Sequence, residues 1–175
     1  MYVDPALPVV GSEDFRAPAE PQSANMLFEF RTKGNANARA TQETRLIALE
    51  AVRTSGLFDD VVHGGAKAAD GQLAIVIDNV PVTDNAVAKG VGTGLTMGLV
   101  GSMVTDGYLC TATWTHDGVT REATVEHALH TTIGNHGGPE GLQPVPVQQA
   151  VETVVSQLVL NALKRLEDDG AFGAP

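Results

Sequence analysis

Four of the five histidines fall within one short stretch, at His116, His127, His130 and His136. Imidazole is the commonest metal ligand and the side chain that titrates nearest neutral pH, so H-x-x-H at His127 and His130 is the first pattern to weigh. Read on a strand, residues three apart point to opposite faces. The pair therefore cannot hold one metal ion unless the strand breaks between them, and His116 meets His127 only if a hairpin register permits. Surface or half-buried histidines are expected, with no metal site. Cys110, the single cysteine, sits mid-strand on the face of Trp114 and reads as a small buried hydrophobe. Ser102, in Gly101-Ser102-Met103-Val104, lacks the second glycine of a G-x-S-x-G elbow. Asp59-Asp60 and Glu167-Asp168-Asp169 fall at helix-end turns, where solvated charge is the ordinary reading. No acid–base pair is placed with specificity, so no catalytic residue, cofactor or enzymatic activity is expected.

The uncharged run from Gly90 to Val104 is the most unusual feature of the chain. Its glycines follow G-x-G-x-G-x-x-x-G, and no lysine follows them, so it matches neither a dinucleotide loop nor a Gly-Lys-Ser/Thr phosphate loop. Gly90, Gly94 and Gly98 are spaced four apart, like the small-residue faces on which membrane helices pack. The 15 residues of 90–104 fall short of the roughly 20 that span a bilayer, and so many glycines weaken a helix. An apolar segment of this kind needs cover. Gly90, Gly94, Leu95, Met97, Gly98, Leu99, Val100 and Met103 are the expected interaction surface.

The elements that must position these groups follow from periodicity. Residues 1–24 carry Pro5, Pro8, Pro18 and Pro21 and are expected to form an extended, poorly packed tail. A single domain is expected over 25–175, with the Gly-rich insert at 90–107. Met26–Arg31 alternates as a strand with Phe28 and Phe30 inward. From about Ala38 to Ser55 the period becomes helical, with Leu46, Leu49 and Val52 on one stripe and Ile47 and Ala51 beside it. Gly56 stops that helix. Phe58–His63 starts a second strand, and Leu73–Val80, apolar at its centre, reads as a central one. A hairpin follows, with His116-Asp117-Gly118-Val119 supplying the Asp-Gly of a type I′ turn between Tyr108–His116 and Val119–Leu129. Pro146 suits the start of a final helix with apolar residues every three to four positions to Leu166. Gly170 ends it, and Gly170-Ala171-Phe172 echoes Gly56-Leu57-Phe58. The expected fold is α+β, a two-layer sandwich of about five mostly antiparallel strands with two amphipathic helices on one face, in the order β-α-β-β-β-β-α.

Composition narrows the setting. The 175 residues carry 11 basic and 21 acidic side chains, a formal net charge of −10, which disfavours nucleic acid. With 43% hydrophobic residues the chain can fill a core, and one cysteine rules out an intrachain disulfide. Met1-Tyr2-Val3-Asp4 has neither the basic nor the apolar region of a signal peptide.

"LFEF", "LEAVRTSGLFDDV", "LTMGLVGSMVTDGYLCTATW" and "VETVVSQLVLNALKRLEDDGAF" together resemble a broad group of bacterial envelope lipoproteins. The resemblance covers about residues 26–173. It extends to the small amino-terminal α+β domain of the Tol–Pal β-propeller protein and to lipoprotein activators of penicillin-binding proteins. It implies a non-catalytic module, periplasmic or anchored to the outer membrane, that binds an envelope protein or itself through a sheet edge or the Gly-rich insert. It also implies a signal peptide and a lipidated cysteine, with the tail as tether; a cytoplasmic protein would equally lack both in this sequence. Peripheral membrane contact would come from such an anchor or from residues 90–104. The alternative is a small-ligand-binding protein or an enzyme whose pocket lies near the Gly-rich loop and is lined by His116, His127 and His130.

Overall fold

Leu73, Ile75 and Ile77 lie at the middle of the sheet and are almost wholly buried, as an apolar strand with neighbours on both sides requires. The computed structural model describes residues 1–64, 69–81, 103–132 and 138–173. These residues form seven strands and two α-helices: β1 (Tyr2–Val3), β2 (Gln22–Thr32), β3 (Asn35–Ala36), α1 (Ala38–Thr54), β4 (Phe58–His63), β5 (Gly71–Pro81), β6 (Met103–His116), β7 (Val119–Thr132) and α2 (Val147–Asp168). The sheet order is β1-β7-β6-β5-β2-β3, with β4 also paired to β2. Both helices lie on one face, α1 over β2 and α2 over β6 and β7, and they pack against each other. The fold is a two-layer α+β sandwich.

Several expectations change in detail. The sheet has seven strands rather than five, because β1 and β3 are two residues long and no alternation announces them. Its pairings are mostly antiparallel, as expected, with β2 running parallel to both β4 and β5. The tail, expected to be poorly packed, is held to the domain at several points although much of it is exposed. Tyr2–Val3 joins the sheet, Leu7 is buried, β2 begins at Gln22, and the side-chain amide of Asn161 donates to the carbonyl of Pro8 at 2.9 Å. The Gly-rich insert expected at 90–107 also ends earlier: Met103–Gly107 are ladder residues of β6, paired to β7.

Local chemistry explains the elements. The Asn37 side chain caps α1 by accepting from the Ala40 amide at 3.0 Å. Gly56 and Gly170 sit at φ +67° and +71° beyond the two helices, a conformation that favours glycine. The buried face of α1 is Thr44, Ala48, Ala51 and Val52, and Leu46 is 69% exposed. The expected Leu46–Leu49–Val52 stripe is thus rotated. Met26, Phe28 and Phe30 of β2 already fill the space beneath, so the helix presents its small side chains there. At the opposite end of the layer the Gly56-Leu57-Phe58 and Gly170-Ala171-Phe172 echoes converge. Phe58 meets Phe172 edge-to-face at 5.3 Å between ring centres, and both rings pack on Trp114, at 5.1 and 5.9 Å.

Candidate functional site

The hairpin turn creates the outer edge of β7. Asp117 and Gly118 have φ of +47° and +75°, as a type I′ turn demands, and His116 pairs with Val119. The far end of β7 takes one strand on its outer side: β1 pairs antiparallel, Tyr2 with His130 and Val3 with Leu129, and the Asp4 amide donates to the Ala128 carbonyl at 3.1 Å. From Val119 to His127 no strand among the described residues pairs with that edge. One side chain from α2 reaches it: the Arg165 guanidinium donates to the Thr124 carbonyl. In an antiparallel ladder a residue's N–H and C=O point to the same side, and the side alternates along the strand. Because Ala128 and Thr124 face outward, Glu122, Glu126 and Thr120 do too. Burial pushes the Glu126 carboxyl above its usual range, and the nearby Arg165 charge opposes that rise.

Beside β1, three side chains form a chain of hydrogen bonds. The Thr105 hydroxyl lies 2.9 Å from His130 Nδ1, and His130 Nε2 lies 3.0 Å from Asp4 Oδ2. A carboxylate only accepts, so in the neutral ring Nε2–H donates to Asp4 and Nδ1 accepts from Thr105. Asp4 Oδ1 also accepts from the Ala6 amide at 2.8 Å. Sequence reading missed this latch, since Asp4 lies in the supposed tail and Thr105 among ordinary strand threonines.

The histidines that would line one pocket in the alternative reading scatter. His116 stacks on Trp114 near the turn and approaches the Asp70 carbonyl at 3.0 Å. His127 is 1% exposed beneath α2, with Nε2 2.7 Å from Gln157 Oε1. Nε2–H must donate there, which leaves Nδ1 as a lone-pair acceptor with no partner among the described residues. Burial lowers the His127 pKa, against the opposing pull of the Gln157 bond. His130 points to the opposite sheet face, as the period of two requires, and His136 lies outside the described residues. Among the described residues no group of three or more His, Cys, Asp or Glu side chains is placed to hold a metal ion. Burial pushes the Cys110 thiol up to about 12, so the nucleophilic thiolate is suppressed.

A cavity of about 160 Å³ opens between the amino-terminal halves of α1 and α2, over Phe30, Tyr108 and Leu129. Its walls are Ala40, Glu43, Thr44, Val151, Val154 and Val155. Burial pushes the Tyr108 phenol up to about 12, with Asp106 adding to the rise. The cavity is mainly apolar, and none of the three hairpin histidines lines it.

Of the expected interaction residues, Gly90, Gly94, Leu95, Met97, Gly98, Leu99 and Val100 lie outside the described residues, and Met103 opens β6. Arg165, which reaches the sheet edge, was legible only as a cation in the last turns of a helix.

No family model matches the chain, and no curated protein does. The solved structures to which it is similar include the PelC dodecamer from Paraburkholderia phytofirmans, at 12% identity and a TM-score of 0.45, covering 89% of this chain and 92% of that one. They also include a putative lipoprotein from Caulobacter crescentus CB15, at 11% identity and a TM-score of 0.35, covering 81% and 85%. A third is the rare lipoprotein B from Shewanella oneidensis, at 13% identity and a TM-score of 0.34, covering 84% and 94%. Lipoproteins thus recur among these structures, and at such scores the likeness carries no functional argument. Among the described residues no helix is long and apolar enough to cross a membrane.

Proposed function

We propose that this chain is a non-catalytic protein-interaction or assembly module of the bacterial cell envelope, and that it binds an extended segment of a partner along the outer edge of β7. One observation carries the reading. The edge already accepts an antiparallel strand from its own chain, the two-residue β1, and leaves Val119–His127 unpaired among the described residues. Strand addition to an open edge draws affinity from main-chain hydrogen bonds and specificity from alternate side chains. The non-catalytic part rests on the separation of His116, His127 and His130 and on the suppressed thiolate of Cys110. The envelope setting rests on the sequence resemblance. In this reading the Gly-rich segment from Gly90 to Met103 is a second contact surface.

Site-specific photocrosslinking in the native host tests the edge. A photoreactive residue at position 122 is expected to give a discrete adduct with another protein, and Glu126→Pro, which removes one outward N–H without touching the β6 ladder, is expected to abolish it. The absence of an adduct from positions 120, 122 and 124 would refute the reading. Fractionation of the same cells tests the setting: recovery with cytoplasmic proteins alone would remove the envelope from it.

A further inference from the structure

This inference rests on the edge reading above and names the chemistry of the segment that fits it. Glu122, Thr124 and Glu126 share an outward-facing backbone and, being two residues apart, share one sheet face. Their Cα positions are therefore about 14 Å apart along the strand, four residues at about 3.4 Å each. Arg165 reaches the edge between these two positions: it donates to the Thr124 carbonyl, and its charge acts on Glu126. The edge thus holds in cis the two things an incoming strand would bring, a donor for an outward carbonyl and a cation beside an outward carboxylate.

A second copy of the chain fits poorly. Antiparallel pairing of two β7 edges about Thr124 sets Glu122 of each copy opposite Glu126 of the other. Like charges directly opposed across a ladder destabilise it, and the net charge of −10 adds to the repulsion.

We propose that the outer edge of β7 receives an extended basic segment of another protein. Two lysine or arginine residues four apart on one face of that segment meet Glu122 and Glu126, and its backbone takes the Thr124 carbonyl from Arg165. Arg165 is then a gate: it covers the carbonyl until a strand with cations of its own replaces it.

Fluorescence anisotropy of the full chain with a labelled nine-residue peptide tests the proposal. The peptide alternates threonine and valine and carries lysine at two positions four apart; matched peptides carry glutamine or glutamate there. The lysine peptide is expected to bind about 2- to 30-fold tighter than the glutamine peptide, the range for two opposite-charge cross-strand pairs, and the glutamate peptide weaker than either. The preference is expected to vanish in Glu122→Gln/Glu126→Gln, whereas general attraction to an acidic chain would survive the loss of two carboxylates out of 21. Arg165→Gln is expected to tighten the lysine peptide several-fold. Equal binding of lysine and glutamine peptides, both abolished by Glu126→Pro, would overturn the charge inference and leave the edge reading standing. No binding of any peptide, even to Arg165→Gln, would overturn both. A dimer in sedimentation that Glu126→Pro dissolves would make a second copy the occupant and overturn the proposal. The glutamine variants change only half-buried or exposed side chains, so the outcome does not hang on whether the proline variant folds.

Discussion

Replacing His127 by leucine tests how far the buried ring governs stability against pH. Its Nδ1 has no partner among the described residues and its pKa is lowered chiefly by burial, so the folded state holds the ring neutral while the unfolded chain protonates it near 6.5. The sign follows from proton uptake. Below about 6.5 the unfolded state binds a proton that the folded state refuses, so stability is whole above that value and is lost as pH falls toward the depressed folded pKa. One refused proton removes at most about 1.4 kcal/mol between about pH 7.5 and 5.5. Urea denaturation of both proteins across that range measures it. The difference between wild type and His127→Leu isolates the contribution of this one ring. Near pH 8 the variant is expected within about 1 kcal/mol of wild type. It loses a hydrogen bond to Gln157 worth about 0.5–1.5 kcal/mol, and it removes an unsatisfied buried acceptor that costs about 1–3 kcal/mol. On acidification the wild type is expected to lose stability relative to the variant. Parallel pH profiles, or a wild type that gains on the variant as pH falls, would refute the neutral buried ring.

Phe172→Ala empties the ring cluster on Trp114 and is expected to cost about 3–5 kcal/mol, lowering the melting temperature by about 6–20 °C in a chain of this size; differential scanning calorimetry reads it. Asn37→Ala removes the α1 cap and is expected to lower urea stability by about 0.5–2 kcal/mol with an unchanged denaturant slope. Asp4→Ala leaves His130 without its acceptor and is expected to cost about 1–3 kcal/mol locally. Faster amide exchange at residues 128–130 than in the helices would display it, and uniform exchange changes would contradict the latch.

The parts of this fold legible in the sequence are those set by contacts close along the chain. Period two marks Leu73–Val80 and the hairpin, Asp117-Gly118 marks the turn, and Gly56 and Gly170 mark the helix ends. The opposed faces of His127 and His130 follow from the same period. What the sequence hides is set by distant partners. Parallel pairing of β2 with β4 and β5 leaves no mark in β2, whose alternation is that of any half-buried strand. The buried face of α1 depends on which side chains β2 raises beneath it, so hydrophobicity alone favoured Leu46, and packing chose Ala48 and Ala51. Asp4 and His130 are 126 residues apart, and nothing local in Pro-rich sequence announces that its fourth residue holds a strand.

The two edges of the sheet carry the same kind of guard for the same reason. Each helix ends on a glycine with positive φ, followed two residues later by a phenylalanine on Trp114. That shared anchor brings both helix ends to one end of the sheet, so an arginine in each last turn reaches the carbonyl of an outer strand: Arg53 that of Val61 in β4 at 3.3 Å, Arg165 that of Thr124 in β7. Natural sheets protect their edges with such charges, and here the two guards differ in how they are tied. Arg53 lies eight residues before Val61, so the turn that joins α1 to β4 keeps guard and strand together. Arg165 lies 41 residues after Thr124 and reaches it only through the packing of α2 on the sheet. A side chain held that way can leave its carbonyl without disturbing the backbone beside it. In the proposed reading this difference makes β7, and not the shorter β4, the edge that opens to a partner.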